Sequence, residues 1–284
     1  MKKLPVLILA ALISDAAMAQ SRAPGEPQTV EVASGSLRLK ALLWKPAGRG
    51  PVPAVLFNHG RSTDPQTHYR QVTITEAASI LGPVFVKHGY AFLYLFRRGE
   101  GLSADQGPFI GDLLEQEEAT NGEVARRHLQ YLLMTSDHLN DALAGLGFLK
   151  TLPQVDAHRI AVVGHSFGGQ ITLLAAERDS TVRAAVAFAA AANSWDGSAE
   201  LRVALLDTAR KITVPIMLLQ TSNDYSVMPG RALAAEMARL SKPHVLKIYP
   251  SFGHTADDGH NLVYLDIARW EKDVFRFLDE HVRR

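Results

Sequence analysis

From Ala54 onward the chain alternates short apolar runs with stretches of helical periodicity, a texture that few architectures accommodate. The runs are AVLFN at 54–58, YAFLYLF at 90–96, RIAVV at 159–163, a strand at 182–188, VPIMLLQ at 214–220 and HVLKIY at 244–249. Helical segments fall between them, near 74–88, 138–150, 168–178 and 229–240, with a last one from about 264 to 282. Strands without polar alternation are buried on both faces, which predicts an α/β fold with a mostly parallel sheet covered by helices on both sides. Ahead of this block, TVEVAS and SLRLKALLWKP flank Gly35 and Ser36, as in an antiparallel pair joined by a tight turn. A single domain over 29–284 accommodates these elements, with 20–28 as a flexible leader.

One segment breaks the alternation. Residues 99 to about 135 lie between a strand and its expected helix, too long for a simple turn, and are read as a cap-like insertion over the strand ends. Within it Phe109, Ile110, Leu113, Leu114 and Tyr131 offer apolar surface to a pocket or to the core alone, and Trp195 and Tyr225 are further wall candidates. The run Glu115, Glu117, Glu118 reads as a solvated helix face.

Charge and composition remove whole classes of function. With 30 Lys and Arg against 29 Asp and Glu, the formal charge is +1, without the basic field that nucleic acid demands, so no nucleic-acid partner is expected. The chain has no cysteine, which excludes disulfides, Cys-ligated metals and a cysteine nucleophile. Any chemistry rests on oxygen and nitrogen side chains, and neither a metal nor an organic cofactor is expected.

At the N-terminus, Lys2 and Lys3 precede an apolar stretch from Leu4 to Ile13, followed by Ala17, Met18 and Ala19. The pattern resembles a secretory signal peptide cut after Ala19, although Pro5 and Asp15 shorten the apolar run. A periplasmic or secreted destination follows as the expectation. Removing residues 1–19 takes away two lysines and one aspartate, bringing the charge from +1 to zero. The run is too short to span a bilayer, so no stable membrane insertion is expected. Oligomeric state leaves no signature in the sequence.

The most specific local signal is Gly164-His165-Ser166-Phe167-Gly168-Gly169, directly after RIAVV and before a helix. A serine at such a strand-to-helix turn projects its hydroxyl above the sheet, and small neighbours let the chain bend sharply. The helix N-terminus adds backbone donors for a developing oxyanion. Ser166 is the candidate nucleophile, and the N–H of Phe167 is one oxyanion-hole donor. The loop FNHGRSTD after the first parallel strand supplies the second candidate, the N–H of Arg61, with His59 read as structural. A serine needs a base and an orienting acid. Asp224 is the only acid in the loop TSNDYSVMPG after VPIMLLQ, with Asp196 and Asp207 as weaker alternatives. For the base, spacing leaves both His254 and His260 open.

These motifs, FNHG at 57–60, GHSFGG at 164–169, QTSNDYS at 220–226 and YPSFG at 249–253 followed by DGH at 258–260, resemble an α/β-hydrolase of the dienelactone hydrolase and prolyl oligopeptidase-like group. The resemblance runs from about Ser36 to the C-terminus. It implies the α/β-hydrolase fold, a catalytic set Ser166, Asp224 and His260, and a carboxylic ester hydrolase acting on a small-molecule ester. A serine peptidase acting on short peptides is the alternative, and a non-catalytic binding protein on the same fold a more distant one. His260 maps to the later GH of relatives with a YP-x-FG segment, whereas the shorter dienelactone-type spacing would map to His254. The chain departs from the dienelactone hydrolases in carrying serine where they use cysteine, and Thr221 and Ser222 replace a glycine common ahead of the acid.

Overall fold

The computed structural model describes residues 25–48, 50–62, 64–69 and 72–283. The expected signal segment 1–19 and residues 20–24 of the leader lie outside the described residues. The elements are β1 (Gln28–Ser34), β2 (Leu37–Trp44), β3 (Val52–Asn58), β4 (Thr67–Tyr69), β5 (Val72–Thr73), α1 (Ile74–Lys87), β6 (Ala91–Leu95), α2 (Ile110–Thr135) and α3 (Asp137–Thr151). They continue as β7 (Val155–His165), α4 (Phe167–Arg178), β8 (Ala184–Phe188), α5 (Ala199–Lys211), β9 (Ile216–Thr221), α6 (Met228–Arg239), β10 (His244–Tyr249), α7 (Ala256–His260), α8 (Leu262–Leu265) and α9 (Ile267–Val282).

Eight strands form one sheet in the order β1-β2-β6-β3-β7-β8-β9-β10. The β1–β2 and β2–β6 pairs are antiparallel, and every other pair is parallel. Gly35, at φ 58°, turns the first hairpin as its sequence suggests. From β3 the chain runs out to β6, then returns past β3 to β7. A reversal of that kind opens a crevice at the carboxyl ends of the two strands, here β3 and β7, where α/β sheets bind ligands.

Period-two alternation sorts each central strand onto two different cores. Ala54 and Leu56 of β3 join Leu93, Val162, Ala185 and Leu218 beneath α3, α4, α5 and α6, an aliphatic layer. Val55 and Phe57 face the other way, toward Phe92 and Tyr94 of β6, Phe85 of α1 and Trp270 of α9. That second layer is aromatic: Phe85 stacks on Phe92 with centroids 4.5 Å apart and Phe57 on Tyr94 at 5.3 Å. Each fully buried ring contributes about 1.5–3 kcal/mol by leaving water.

The irregular stretch contains α2, which with α3 makes a large helical insertion after β6. Gly122 breaks α2 at φ 85° and ψ 175°, so the helix is two pieces in series. Phe109, Ile110 and Leu114 are buried in the aliphatic layer with Met134 and Leu139. Trp195, 5% exposed, joins the same layer. The sequence allowed these residues as pocket walls. Their apolar stripe instead anchors the insertion to the domain, because an amphipathic helix gains most by turning that stripe toward existing apolar surface.

Candidate active site

Ser166 sits between β7 and α4 with φ 55° and ψ −117°, a backbone conformation costly for an L-residue with a side chain. Neighbouring contacts impose it. A Cβ on Gly168 would come within 2.0 Å of the Asn58 carbonyl oxygen and 2.2 Å of that of His59, and one on Gly164 within 2.4 Å of the Gly168 oxygen. Only glycines let β7, α4 and the end of β3 approach so closely. The Ser166 N–H donates to the Phe188 carbonyl at 2.8 Å, and its own carbonyl accepts the first helical bond from Gln170. Ser166 holds the N-cap position without capping through its side chain, which leaves the hydroxyl to other partners.

One of those partners is His260. Its Nε2 lies 2.9 Å from Ser166 Oγ, and its Nδ1 lies 2.8 Å from Asp224 Oδ1. Both His260 and Asp224 are buried. Asp224 follows β9, and the Tyr225 N–H donates to the same carboxylate at 2.7 Å. With a carboxylate on Nδ1, that nitrogen carries the proton, and Nε2 is the acceptor facing the hydroxyl. His165 Nε2 donates to the His260 carbonyl at 2.9 Å, and the Tyr225 ring meets the His260 ring edge-on at 5.0 Å. The imidazole is therefore held at its backbone, at Nδ1 and at its face.

His254 is placed differently. It is exposed, and its N–H donates to Asp258 Oδ2, part of the Thr255–Asp258 capping box that starts α7. The cap spends this turn on helix initiation, and one turn later α7 delivers His260 to the cavity. Of the alternative acids, Asp207 pairs with Arg210 on α5 and Asp196 lies on an exposed loop. Neither is a partner of His260.

The loop after β3 rests on residues that sequence reasoning missed. Arg97, fully buried after β6, donates through Nη1 to the His59 carbonyl at 2.8 Å and through Nη2 to the Gly60 carbonyl at 3.1 Å. Glu100, equally buried, bonds Arg97 at 3.1 Å and accepts from the Ser62 N–H at 3.2 Å. Burial pushes the Glu100 carboxyl up, and the Arg97 charge opposes the shift. A trans peptide sets its C=O and N–H in opposite directions. Because the Gly60 carbonyl points at Arg97, the Arg61 N–H points away from it, and that N–H has no acceptor among the described residues. The Phe167 N–H, first in α4, also lacks one, as helix geometry dictates. The signal available in the sequence was Arg97-Arg98-Gly99-Glu100 directly after an apolar strand, charges where burial is expected.

Ser166 and His260 open on a cavity of about 650 Å³. Its strand-end side includes Gly60, Arg61, His165, Phe167 and Gln170, and Tyr225 stands near His260. The opposite side belongs to α2, through Glu115, Glu123, Arg126, Arg127, Gln130 and Tyr131. Of the apolar candidates expected from the insertion, Tyr131 lines the cavity, and Glu115, expected on a solvated face, lines it too. Two side chains contact the Phe167 ring: the His138 ring meets it edge-on at 5.5 Å, and the Arg97 guanidinium lies 5.6 Å from its centroid.

The model of the dienelactone hydrolase family matches residues 85–272. A polyketide transferase from a Penicillium species is 37% identical over 160 residues, covering 54% of this chain and 47% of that protein. Among solved structures, Pyrococcus horikoshii acylaminoacyl peptidase superposes with a TM-score of 0.65 at 18% identity, over 91% of this chain and 42% of the peptidase. Est1E from Butyrivibrio proteoclasticus and dienelactone hydrolase from Anabaena variabilis each give 0.60, at 18% and 16% identity, over 90% of this chain and 99% of theirs. At such identities the structural likeness speaks for the fold. The chain spans about half the length of the curated relative and less than half of the peptidase.

Proposed function

The chain belongs to the dienelactone hydrolase family, and from that premise we propose that it is a serine hydrolase cleaving carboxylic esters of small molecules through an acyl-enzyme. The observation that carries this reading is the hydrogen-bonded series Ser166–His260–Asp224 at the carboxyl ends of the strands. His260 Nε2 takes the hydroxyl proton as Ser166 Oγ bonds to the ester carbonyl carbon. Asp224 holds the tautomer and stabilises the imidazolium. The N–H groups of Phe167 and Arg61 receive the oxyanion. Collapse breaks the bond to the leaving alcohol, which departs with the proton from His260. Water then gives a proton to His260 and attacks the acyl carbon, and the collapse that follows breaks the acyl bond to Ser166 Oγ, which takes the proton back from His260 as the acid leaves.

A peptidase reading draws support from the acylaminoacyl peptidase neighbours, since an acyl-enzyme forms equally from an amide. The polyketide transferase relative suggests a third variation, in which an acceptor other than water takes the acyl group. Rates on 4-nitrophenyl esters of increasing chain length, measured beside dipeptide anilides, separate the first two. Ester turnover with a Ser166-dependent burst is expected, and anilide turnover with negligible ester turnover would overturn the esterase reading. For location, we propose export directed by residues 1–19. The mass of the native N-terminus tests this, because a soluble product retaining Met1 contradicts cleavage after Ala19. Among the described residues, no helix is long and apolar enough to cross a membrane.

A further inference from the structure

α4 and the loop after β8 contribute only uncharged side chains to the cavity, among them Gln170, Asn193 and Ser194. Gln170 is 3% exposed. Its Nε2 donates to Ser194 Oγ at 3.2 Å, while its buried Oε1 has no hydrogen-bond partner among the described residues. Ser194 accepts that bond, so its own O–H is unspent, and it has no acceptor among the described residues. The Asn193 side chain, exposed one residue earlier, has no partner there either. The loop itself is held in a costly shape. Ala189 and Ala191 have φ of 51° and 61°, the left-handed region that residues with a Cβ rarely occupy. α4 presses on it: a Cβ on Gly169 would come within 3.0 Å of the Ala190 Cβ and 3.1 Å of the Phe188 carbonyl oxygen. The strained turn sets Ser194 beside Gln170, with the Ser194 N–H donating to the Ala191 carbonyl at 3.1 Å.

His260 is followed by α8 and α9, whose apolar residues belong to the aromatic layer, whereas Phe167 of α4, Trp195 and Leu201 belong to the aliphatic one. A leaving alcohol takes its proton from His260 and departs on that side, so the acyl chain extends toward α4 and the loop after β8. Gln170 lies one helical turn, about 5.4 Å, beyond Ser166. Long helical side chains lean back toward the N-terminus, which brings its amide within reach of a group a few bonds from the acyl carbon. A hydroxyl carries no charge, and its single oxygen both donates and accepts. We propose that Ser194 and Gln170, with Asn193 beside them, bind a hydroxyl on the acyl chain, so that the preferred substrates are esters of hydroxy acids. Ser194 donates to the hydroxyl oxygen, and rotation about the soft terminal torsion of Gln170 brings Oε1 to accept the hydroxyl proton. With the amide turned over, Nε2 becomes the donor and Ser194 Oγ the acceptor, so the pair offers one of each in either setting. This inference rests on the esterase reading and narrows it.

The test compares 4-nitrophenyl esters of 3-hydroxybutanoate and 3-hydroxyhexanoate with those of butanoate and hexanoate. The 3-methoxy analogues, which keep the acceptor and lose the donor, complete each set. At one chain length or both, kcat/KM should favour the hydroxy ester over the unsubstituted one about tenfold, the scale of two neutral hydrogen bonds, and the methoxy ester should lose most of that preference. Ser194→Ala and Gln170→Met should each lower the ratio about fivefold or more, and Asn193→Ala by less. The ratio, unlike the rate, separates lost recognition from disturbed packing around Gln170. A ratio near one at both lengths, or a preference that survives both Ser194→Ala and Gln170→Met, overturns the subsite and leaves the esterase reading standing. If the esters are inert while anilides are turned over, the esterase reading fails, and the same ratio on the 4-nitroanilides of these acids decides the subsite by the same criteria.

Discussion

The two sides of the cavity are built by opposite means. On the strand-end side the groups around the serine have buried partners: Ser166 meets His260, His260 meets Asp224, and the loop after β3 hangs on Arg97 and Glu100. On the α2 side the polar groups are largely solvated, paired within the helix as Arg127–Glu123 and Arg126–Glu118, and Val124 is 83% exposed. Buried networks hold atoms to fractions of an ångström but fail if one member is lost. Solvated pairs contribute little and tolerate exchange. The groups around the serine are thus held by one side and the other is loosely paired, so substitutions should have large effects on the first side and small ones on the second.

The largest contrast comes from the reacting groups themselves. Ser166→Ala is expected to lower kcat roughly a millionfold, and Asp224→Asn about 10⁴-fold, by letting the imidazole adopt the wrong tautomer. His254→Ala, on its exposed turn, should change stability by less than about 0.5 kcal/mol and leave the burst intact. Burst kinetics on a 4-nitrophenyl ester read all three. Equal losses from His254→Ala and His260→Ala would break the assignment of the base.

Arg97 ranks next, because a buried pair that loses one member leaves a charge uncompensated. Arg97→Met should cost about 3–5 kcal/mol in urea unfolding, and pairing it with Glu100→Leu should recover most of that loss. The double variant should nevertheless remain slow, about 10–10³-fold in kcat, because the Gly60 carbonyl has lost the donor that aims the Arg61 N–H. If stability and rate recovered together, Arg97 would be only a structural prop.

This difference between the two sides also governed what could be read in advance. The strands β7, β9 and β10 were legible because fully buried strands need continuous apolar runs, and Ser166 because its turn demands glycines on both sides. The resemblance distinguished His260 from His254, which spacing alone did not: the distinction depends on how the Thr255–Asp258 cap turns the backbone. Arg97 was illegible because its partners, His59 and Gly60, lie 38 and 37 residues away and come together only through β3–β6 pairing. The insertion left two outcomes open because Phe109, Ile110 and Leu114 carry the right chemistry for either a pocket or a core. Their destination depends on the rotation of α2, which the apolar layer sets.

A smaller effect is expected at the joint between the two sides. His138 begins α3, lies buried against Phe167, and has its pKa held well below the usual 6.5, first by burial and then by the charges of Arg97 and Arg98. In the native state it stays neutral while the unfolded chain takes up a proton below about pH 6.5. The unfolded state then binds one proton more, so this residue's contribution to stability falls by about 1.4 kcal/mol per pH unit as pH drops below that value. His138→Phe should remove this slope from urea midpoints between pH 6 and 5 and leave the pH 8 slope unchanged. An unchanged slope below pH 6 would mean that the joint opens and admits the proton.

The smallest effect belongs to the α2 side. Arg127 bonds Glu123 and reaches across to the Gly197 carbonyl, both at the surface. Arg127→Ala should therefore cost less than about 1 kcal/mol. Its effect on turnover should appear as a severalfold rise in KM with kcat retained, the sign of a contact made equally in ground state and transition state. A loss of kcat comparable with that of Arg97→Met would place α2 in the positioning machinery and erase the contrast between the two sides.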